Sequence, residues 1–426
     1  MKIVHCSDLH LGKRLSGTKD YVTKRYMDFF NAFATFVDKV EEIKPDVCLI
    51  AGDIFDKKEI NPDILSKTEY LFKRLRDNVK KDIIAIEGNH DNSRILEESW
   101  LEYLQEQNIL KVFYYNKDFE EKNYLKIDDI NFYPVGYPGF MIDEALTKLS
   151  EKLNPQEKNI VIVHTGISGG TNTLPGLVST SILDLFKDKA IYIAGGHIHS
   201  FTTYPKEKPY FFVSGSLEFS NVQNEKSDKK GFILFDTDTL NYEFIELEHR
   251  KRIKKDFSYT NFSNLENEFE NFVKELNLTG EEILVISVSL NNNDYINTES
   301  LENIAEKNGA LKTHILIKNI LNIGASEENN SDLSIDELEK NIRDLFFKGA
   351  ARPKDATYLS NTRQINLIQQ ALVSLNEAIK AAEMGLEVDM VLIDYTNAFN
   401  LLGEVIGENS GDELINELFS RFCLGK

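Results

Sequence analysis

Disulfides have little to work with in this chain: three cysteines, Cys6, Cys48 and Cys423, stand in 426 residues. No disulfide framework is implied, and a reducing, cytoplasmic setting suits such usage. Cys6 and Cys48 sit inside apolar runs, where a thiol reads as a small core hydrophobe. Long hydrophobic runs are missing as well. None approaches the ~20 residues that a membrane span needs, and no signal-peptide pattern precedes the first apolar stretch. Mean hydropathy is -0.33 with 42% hydrophobic residues, a soluble globular profile in a chain long enough for two or three domains.

Positive charge is short too. The formal net charge of -20 argues against a phosphate-backbone partner, because nucleic-acid binding draws on Lys and Arg. Its distribution weakens that objection. Residues 1–255 hold 36 Lys+Arg against 40 Asp+Glu, whereas residues 256–330 hold 4 against 13 and residues 331–426 hold 9 against 16. The acidity lies mainly after residue 255.

What is present begins with Asp8-Leu9-His10, set where a short apolar strand runs out. Four later stretches repeat the pattern of a β-rich run followed by metal-type ligands: Gly52-Asp53-Ile54-Phe55-Asp56, Gly88-Asn89-His90-Asp91, His164-Thr165-Gly166 and Gly196-His197-Ile198-His199. In open α/β sheets, chemistry collects at the carboxyl ends of strands. Five of the eight histidines fall in these loops; His5, His249 and His314 do not, and read as structural residues. Mixed nitrogen and oxygen ligands suit Mn, Fe, Zn or Co better than Ca or Mg. Seven of them (Asp8, His10, Asp53, Asn89, His164, His197, His199) are too many for one tetrahedral ion and suit two ions ~3.5–4 Å apart with a bridging carboxylate. Gly12, Gly52, Gly88 and Gly196 permit tight turns beside them.

Between the motifs, strands and helices alternate. Phe29, Phe30, Phe33, Phe36, Val37 and Val40 recur at helical spacing within Tyr21–Ile43, a core-packing stripe. A buried strand from Asp46 leads into Gly52, Asn61–Arg76 reads as a second helix, and Asp82–Ile86 as the next strand. Three strand–loop–helix units imply parallel strands, with every motif on the same sheet edge. Lys111–Tyr137 reads as β-hairpins; Tyr210–Val213, Gly231–Phe235 and Tyr242–Leu247 read as a closing antiparallel set. Residues 256–325 read as a small α/β domain with helices at 262–276 and 301–308 and strands at 282–290 and 314–320.

In their order, Asp-x-His, Gly-Asp-x-x-Asp, Gly-Asn-His-Asp, His and Gly-His-x-His resemble the motifs of the calcineurin-like metallophosphoesterase superfamily. Ser7-Asp8-Leu9-His10-Leu11-Gly12 and Ala51-Gly52-Asp53-Ile54-Phe55-Asp56 are most similar to its SbcD branch, the nuclease subunits of DNA double-strand-break repair. A protein-phosphatase branch would carry Gly-Asn-His-Glu and Arg-Gly-Gly, and neither occurs. The resemblance covers residues 1–255, or 1–320 if the small α/β domain is that branch's capping domain. It implies an α/β fold, a four-layer sandwich of two mixed sheets flanked by helices. It also implies one ion on Asp8, His10, Asp53 and His199 and another on Asp53, Asn89, His164 and His197, with Mn2+ the expected metal. His90 is implied as the group that stabilises the phosphorane charge or protonates the leaving oxygen, with Asp91 orienting its ring; an eighth ligand or a structural turn residue is the other reading. Asp56 is a candidate substrate contact or neighbour of the ligands. Arg14, Lys57 and Arg94, with Lys13 and Lys58, are candidate DNA-phosphate contacts, or ordinary solvated charge. DNA is the implied substrate, and an SbcC-like ATPase and a second copy of the chain are compatible partners; no membrane is implied.

The last hundred residues change character. A polar linker at 326–335 precedes an all-helical run at 336–426. Ser334–Glu337 forms a capping box, and Ile365, Ile368, Leu372, Leu375 and Ile379 recur at spacings of three and four. A further helix covers Met390–Ile406, and Ser410–Glu413 caps another that runs into Phe422-Cys423-Leu424-Gly425-Lys426. With Asn361-Thr362-Arg363, this run resembles the C-terminal helical segment of the tRNA-modifying GTPase MnmE, in which the counterpart of Cys423 faces the modified tRNA position. No Gly-x-x-x-x-Gly-Lys-[Ser/Thr] loop and no folate-binding domain accompany it, so GTP hydrolysis does not carry over. The grip that an SbcD-type chain would keep on an SbcC-type coiled coil is not recognisable. A fusion or chimera with its junction near residues 320–335 is expected, and the tail's apolar stripe needs burial.

Overall fold

The computed structural model describes residues 1–91, 99–115, 124–168, 176–223, 225, 227, 229–290 and 296–319, together with 368, 371, 372, 374, 375, 398, 401 and 402. In chain order, β1 (Lys2–Cys6), α1 (Lys19–Ile43), β2 (Val47–Ala51), α2 (Pro62–Asn78), β3 (Asp82–Ile86), α3 (Trp100–Glu106) and β4 (Lys111–Phe113) come first. Then follow β5 (Leu125–Ile127), β6 (Ile130–Gly136), α4 (Ile142–Lys152), β7 (Lys158–Val163), α5 (Thr180–Leu183), β8 (Tyr192–Gly195), β9 (Thr202–Tyr204) and β10 (Phe211–Val213). β11 (Gly231–Asp236) and β12 (Tyr242–Glu246) complete the two large sheets. One has the order β12-β11-β1-β2-β3-β4, the other β5-β6-β7-β8-β10-β9. β1 to β4 run parallel, as do β6, β7, β8 and β10; the first sheet has an antiparallel edge on the β11–β12 side only, and the second has one at each edge, β5 and β9.

Period-two alternation makes this a four-layer sandwich. On β2, Val47, Leu49 and Ala51 face the second sheet, where they pack with Ile160, Ile162 and Phe212. Cys48 and Ile50 face the other way, onto Phe33, Phe36 and Val37 of α1. The predicted stripe of α1 is fully buried there. The second sheet buries its outer face under α4 and α5, through Leu146, Leu149 and Leu183. Helix starts follow local chemistry. Thr18 caps α1 by accepting from the Tyr21 N–H, and Asn61 caps α2 with Pro62 in its first turn.

The two-sheet expectation holds, with differences in the connections. Within Lys111–Tyr137 the β5–β6 pair is a hairpin, but β4 joins the first sheet parallel to β3. Phe211–Val213 does not join the closing antiparallel set; it pairs with β8 in the second sheet. A fully apolar three-residue strand carries no mark of which sheet it will enter. A third, all-parallel sheet is formed by β13 (Arg252–Phe257), β14 (Ile283–Leu290) and β15 (Lys312–Asn319), with α6 (Leu265–Glu275) and α7 (Thr298–Lys307) as its connections. It takes in residues before 256 and belongs with the two large sheets to one compact unit, Met1–Ile323. Ile283 and Leu311 pack there with Tyr21, Phe219 and Val222, and Arg250 bridges Asp28 and Glu281.

Gly324–Lys426 is a separate unit. Its described residues are helical: Ile368 and Leu375 are half-buried and Ala371 is buried, but Leu372 is 59% exposed. The buried line thus runs through the small residue Ala371 in place of Leu372. The linker, Ser334–Glu337, Ile365, Ile379, Ser410–Glu413 and Cys423 lie outside the described residues, as does most of Met390–Ile406 apart from the helical Ala398, Leu401 and Leu402. Among the described residues, no helix is long and apolar enough to cross a membrane.

His5 ties the sheets together: its Nε2 lies 3.0 Å from the Gly195 carbonyl oxygen and its Nδ1 2.8 Å from the Tyr192 hydroxyl. Burial lowers its pKa to about 4, outweighing the Gly195 hydrogen bond. In the unfolded chain it returns to roughly 6.5, so on acidification the unfolded state takes up the proton first. Stability is predicted to fall as pH drops from ~6.5 to ~4, by up to ~1.4 kcal/mol per pH unit from this residue. Urea melts across that range should show a shallower pH slope in His5→Leu, from a lower starting stability; equal slopes would remove His5 from the account.

Candidate metal centre

All five motif loops leave the carboxyl ends of parallel strands, β1, β2 and β3 in one sheet and β7 and β8 in the other. Their side chains meet between the sheets. Asp8, His10, Asp53 and His197 adopt the left-handed backbone region, with φ of 55°, 45°, 55° and 70°. Asp, Asn and His tolerate that region better than most residues, at a cost of ~1–3 kcal/mol each. Four such residues at one edge mark a site whose geometry outranks local comfort. The Asp8 N–H donates to the Gly52 carbonyl and the His10 N–H to the Asp53 carbonyl, lacing the first two loops together. Gly52 and Gly88 are required by closeness: a Cβ on the former would enter the His164 ring, and on the latter the Asp53 carboxylate.

The donor atoms form two overlapping clusters. In one, His10 Nε2 lies 3.1 Å from His199 Nε2, which is 3.8 Å from Asp8 Oδ1. In the other, Asn89 Oδ1 lies 3.0 Å from His164 Nε2 and 2.9 Å from His197 Nδ1. Asp53 Oδ2 stands between them, 3.8 Å from His10 Nε2 and 3.4 Å from His164 Nε2. All seven expected ligands therefore converge. Asp8–His10–His199, His10–Asp53–His90 and Asp8–Asp53–His164 each offer ligand atoms within 4.8 Å of one another. The donor set fits divalent cations on further grounds. Asp8, His10, Asp53 and His164 are at most 2% exposed, and His10 Nε2 faces His199 Nε2 and Asp53 Oδ2 inside the cradle. Buried anions and lone pairs crowded together call for a positive partner.

Electrostatics reflect that crowding. Burial works to raise the Asp53 pKa, but the His164, His10 and His90 rings hold it well below the usual carboxylate range. Burial would lower His164, yet Asp53 and then Asp8 raise it to about 9. Burial lowers His10 despite its contact with Asp56. His164 Nδ1 lies 2.7 Å from the Ala51 carbonyl oxygen, which fixes the proton there and turns Nε2 into the cradle.

His90 and Asp91 part company. The His90 N–H donates to Asp53 Oδ1, and its ring Nδ1 faces the Asp56 carbonyl oxygen at 2.7 Å. Asp91 does not orient that ring. Its carboxylate instead accepts the N–H groups of Ile54, Phe55 and Gly88, joining the second and third loops. Burial and the nearby Asp53 raise its pKa to about 6. Asp56 pairs with Lys13 Nζ at 2.6 Å and sits 3.3 Å from His10 Nδ1, so Lys13 is committed inside the site. Arg14 stacks over Tyr26 at 5.1 Å, Lys57 and Lys58 are exposed, and Arg94 lies outside the described residues. Thr165, in the loop after His164, is buried and donates to the Gly176 carbonyl.

Sequence reasoning missed Glu225 and Lys230, a buried ion pair beside His199, because charged residues in a polar connection read as solvated. It also missed Tyr137, whose ring lies 5.7 Å from that of His164 and 5.8 Å from that of His197.

The family model of the MnmE helical domain matches residues 72–423. The chain belongs to the MnmE helical domain family. Two tRNA modification GTPases MnmE, from Staphylococcus epidermidis and Staphylococcus aureus strain N315, are each 56% identical over 92 residues, 22% of this chain and 20% of theirs. The chain thus spans about a fifth of the length of the curated relatives it matches. The matched range takes in β3 to β15, which are sheet strands, together with nearly all of Gly324–Lys426. Among solved structures, a dimetal phosphatase from Danio rerio is 10% identical, covering 55% of this chain and 91% of that one with a TM-score of 0.37. The calcineurin-like phosphoesterase YfkN from Bacillus subtilis is 13% identical, covering 58% and 88%, with a TM-score of 0.32.

Because Asp91 satisfies three loop N–H groups, Asp91→Ala is predicted to destabilise the fold by ~3–5 kcal/mol, the cost of breaking a buried charged network. Asp91→Asn keeps one acceptor and should lose about half as much. Urea denaturation measures both; a loss below ~1 kcal/mol for Asp91→Ala would show that water replaces the carboxylate freely.

Proposed function

We propose that residues 1–323 act as a two-metal phosphodiesterase, most specifically an SbcD-like nuclease that works on DNA ends in repair. The observation that carries this reading is the pair of donor clusters sharing Asp53, built from both sheets at one edge. Asp8, His10, Asp53 and His199 would hold one ion, and Asp53, Asn89, His164 and His197 the other, with Mn2+ as the expected metal. Such ions polarise a phosphoryl oxygen and bring a bound water to hydroxide near neutral pH, ready for in-line attack on phosphorus. Asn89 contributes a neutral oxygen, which limits the negative charge that the two carboxylates bring together.

His90 does the proton work in this reading. Its Nδ1–H is spent on the Asp56 carbonyl, so Nε2 is the nitrogen left to meet a phosphoryl or leaving oxygen. The ring stands edge-on to His10, 4.8 Å between centroids, on the rim of the cradle. Lys57 and Lys58, exposed on the loop after Asp53, and Arg14 are the cations available to a DNA backbone.

A second reading rests on the 56% identity to MnmE: the tail is a tRNA-associated interaction module, attached to a phosphoesterase of other specificity. The same protein preparation separates the two. With Mn2+, the full chain should degrade linear DNA, and Asp53→Ala and a chelator should each abolish the activity. His90→Asn should lower the rate ~10²–10⁴-fold while Mn2+ binding is kept. Hydrolysis of a small chromogenic phosphodiester without any action on DNA would discard the nuclease assignment, and tight tRNA binding alongside it would favour the second reading.

A further inference from the structure

The buried pair Glu225–Lys230 meets the cradle at His199 and takes no part in the chemistry described above. Glu225 Oε1 lies 3.6 Å from His199 Nδ1, while the opposite ring nitrogen, Nε2, faces His10 and Asp8. Lys230, 1% exposed, pairs with Glu225 and donates to the His199 carbonyl at 2.7 Å and to Ser216 Oγ at 2.7 Å. The pair thus meets His199 at both ends: the Glu225 carboxylate stands within ion-pair distance of the ring Nδ1, and Lys230 donates to the backbone carbonyl. Glu225 is itself fixed from the third sheet. Its carbonyl accepts from Arg252 Nη1 at 3.0 Å and from Lys254 Nζ at 2.9 Å, both on β13. Arg252 also binds the carbonyls of Val222 and Ser227 and lies 4.0 Å over the Phe219 ring.

We infer that Glu225 is a positioning residue for His199: it holds the imidazole with its proton on Nδ1, so that the Nε2 lone pair faces the ion shared with Asp8, His10 and Asp53. The physical reason is general. A carboxylate behind a ligating imidazole fixes its tautomer and ring angle and raises its basicity, and losing such a partner costs ~10–100-fold in metal affinity. Arg252 and Lys254 extend the device. They tie the third sheet to the cradle through the backbone of one segment, so the small sheet sets the ligand as well as covering its own core.

The inference rests on the two-metal reading, and the test keeps the two apart. Long-range ¹H–¹⁵N spectra of the metal-free full chain should show His199 as the Nδ1–H tautomer, shifting toward Nε2–H in Glu225→Gln. A wild-type His199 already in the Nε2–H form would overturn the inference whatever the metals do. Calorimetry with Mn2+ should show two ions bound by the wild type and one of them weakened ~10–100-fold in Glu225→Gln. Glu225→Asp, which keeps the charge at a shorter reach, should recover part of that loss, and Lys254→Met, which removes a donor to the Glu225 carbonyl, should cost a few-fold. Two ions bound with unchanged affinity in Glu225→Gln would sink the inference and leave the two-metal reading standing. A wild type that binds no Mn2+ overturns that reading, and the tautomer measurement then decides the role of Glu225 alone. Should Glu225→Gln not fold, Glu225→Asp and Lys254→Met carry the same comparison.

Discussion

Everything in the first 323 residues depends on one buried carboxylate, that of Asp53. It ends the central strand region of one sheet, receives the His90 N–H from the next loop, and faces His10 from its own sheet and His164 from the other. A carboxylate 2% exposed is costly without positive or donating partners, and these partners come from three separate loops, those of His10, His90 and His164. The sandwich exists in a form that lets two independent parallel centres deliver their strand ends to the same edge. Close packing between Val47, Leu49, Ala51 and their counterparts Ile160, Ile162 and Phe212 fixes the distance between those edges.

That convergence is held against local preference. Asp8, His10, Asp53 and His197 occupy left-handed backbone that unrestrained residues of these types seldom adopt. The strain is supported by bonds within and between loops: Ser7 donates to its neighbour Asp8 at Oδ2, Asp91 gathers three N–H groups, and the His197 N–H donates to Asp8 Oδ1 at 3.1 Å. Packed loops of this kind hold donor atoms in fixed relative positions, which is the arrangement a metal cradle needs. The Glu225 inference extends the same logic one shell outward, from the ligands to the third sheet.

The two units of the chain point in different chemical directions. The family model of the MnmE helical domain spans residues 72–423 and so both units, while the donor clusters belong wholly to Met1–Ile323. A nuclease reading of the sheets and a tRNA-associated reading of the tail need not compete. Each rests on its own residues.

Much of this was legible in the amino-acid order. Repeated strand–loop–helix units whose apolar runs end at Asp, His and Asn announced parallel strands with chemistry at their carboxyl ends, and the Phe stripe of α1 announced its buried face. Which side chains would gather was legible because few other patterns place five histidines after apolar runs. What stayed hidden depends on contacts between segments far apart in the chain. Nothing local distinguishes Phe211–Val213 as a strand of the second sheet, Asp91 as a backbone clamp in place of a ring-orienting group, or Ala371 as buried while Leu372 is exposed. Glu225 and Lys230 read as surface charge until the third sheet closes over them. The sequence by itself determined the elements and the ligand types, since periodicity and side-chain chemistry are local. The tertiary structure alone decided which charges are buried and which atoms face each other, since burial and distance are properties of the packed whole.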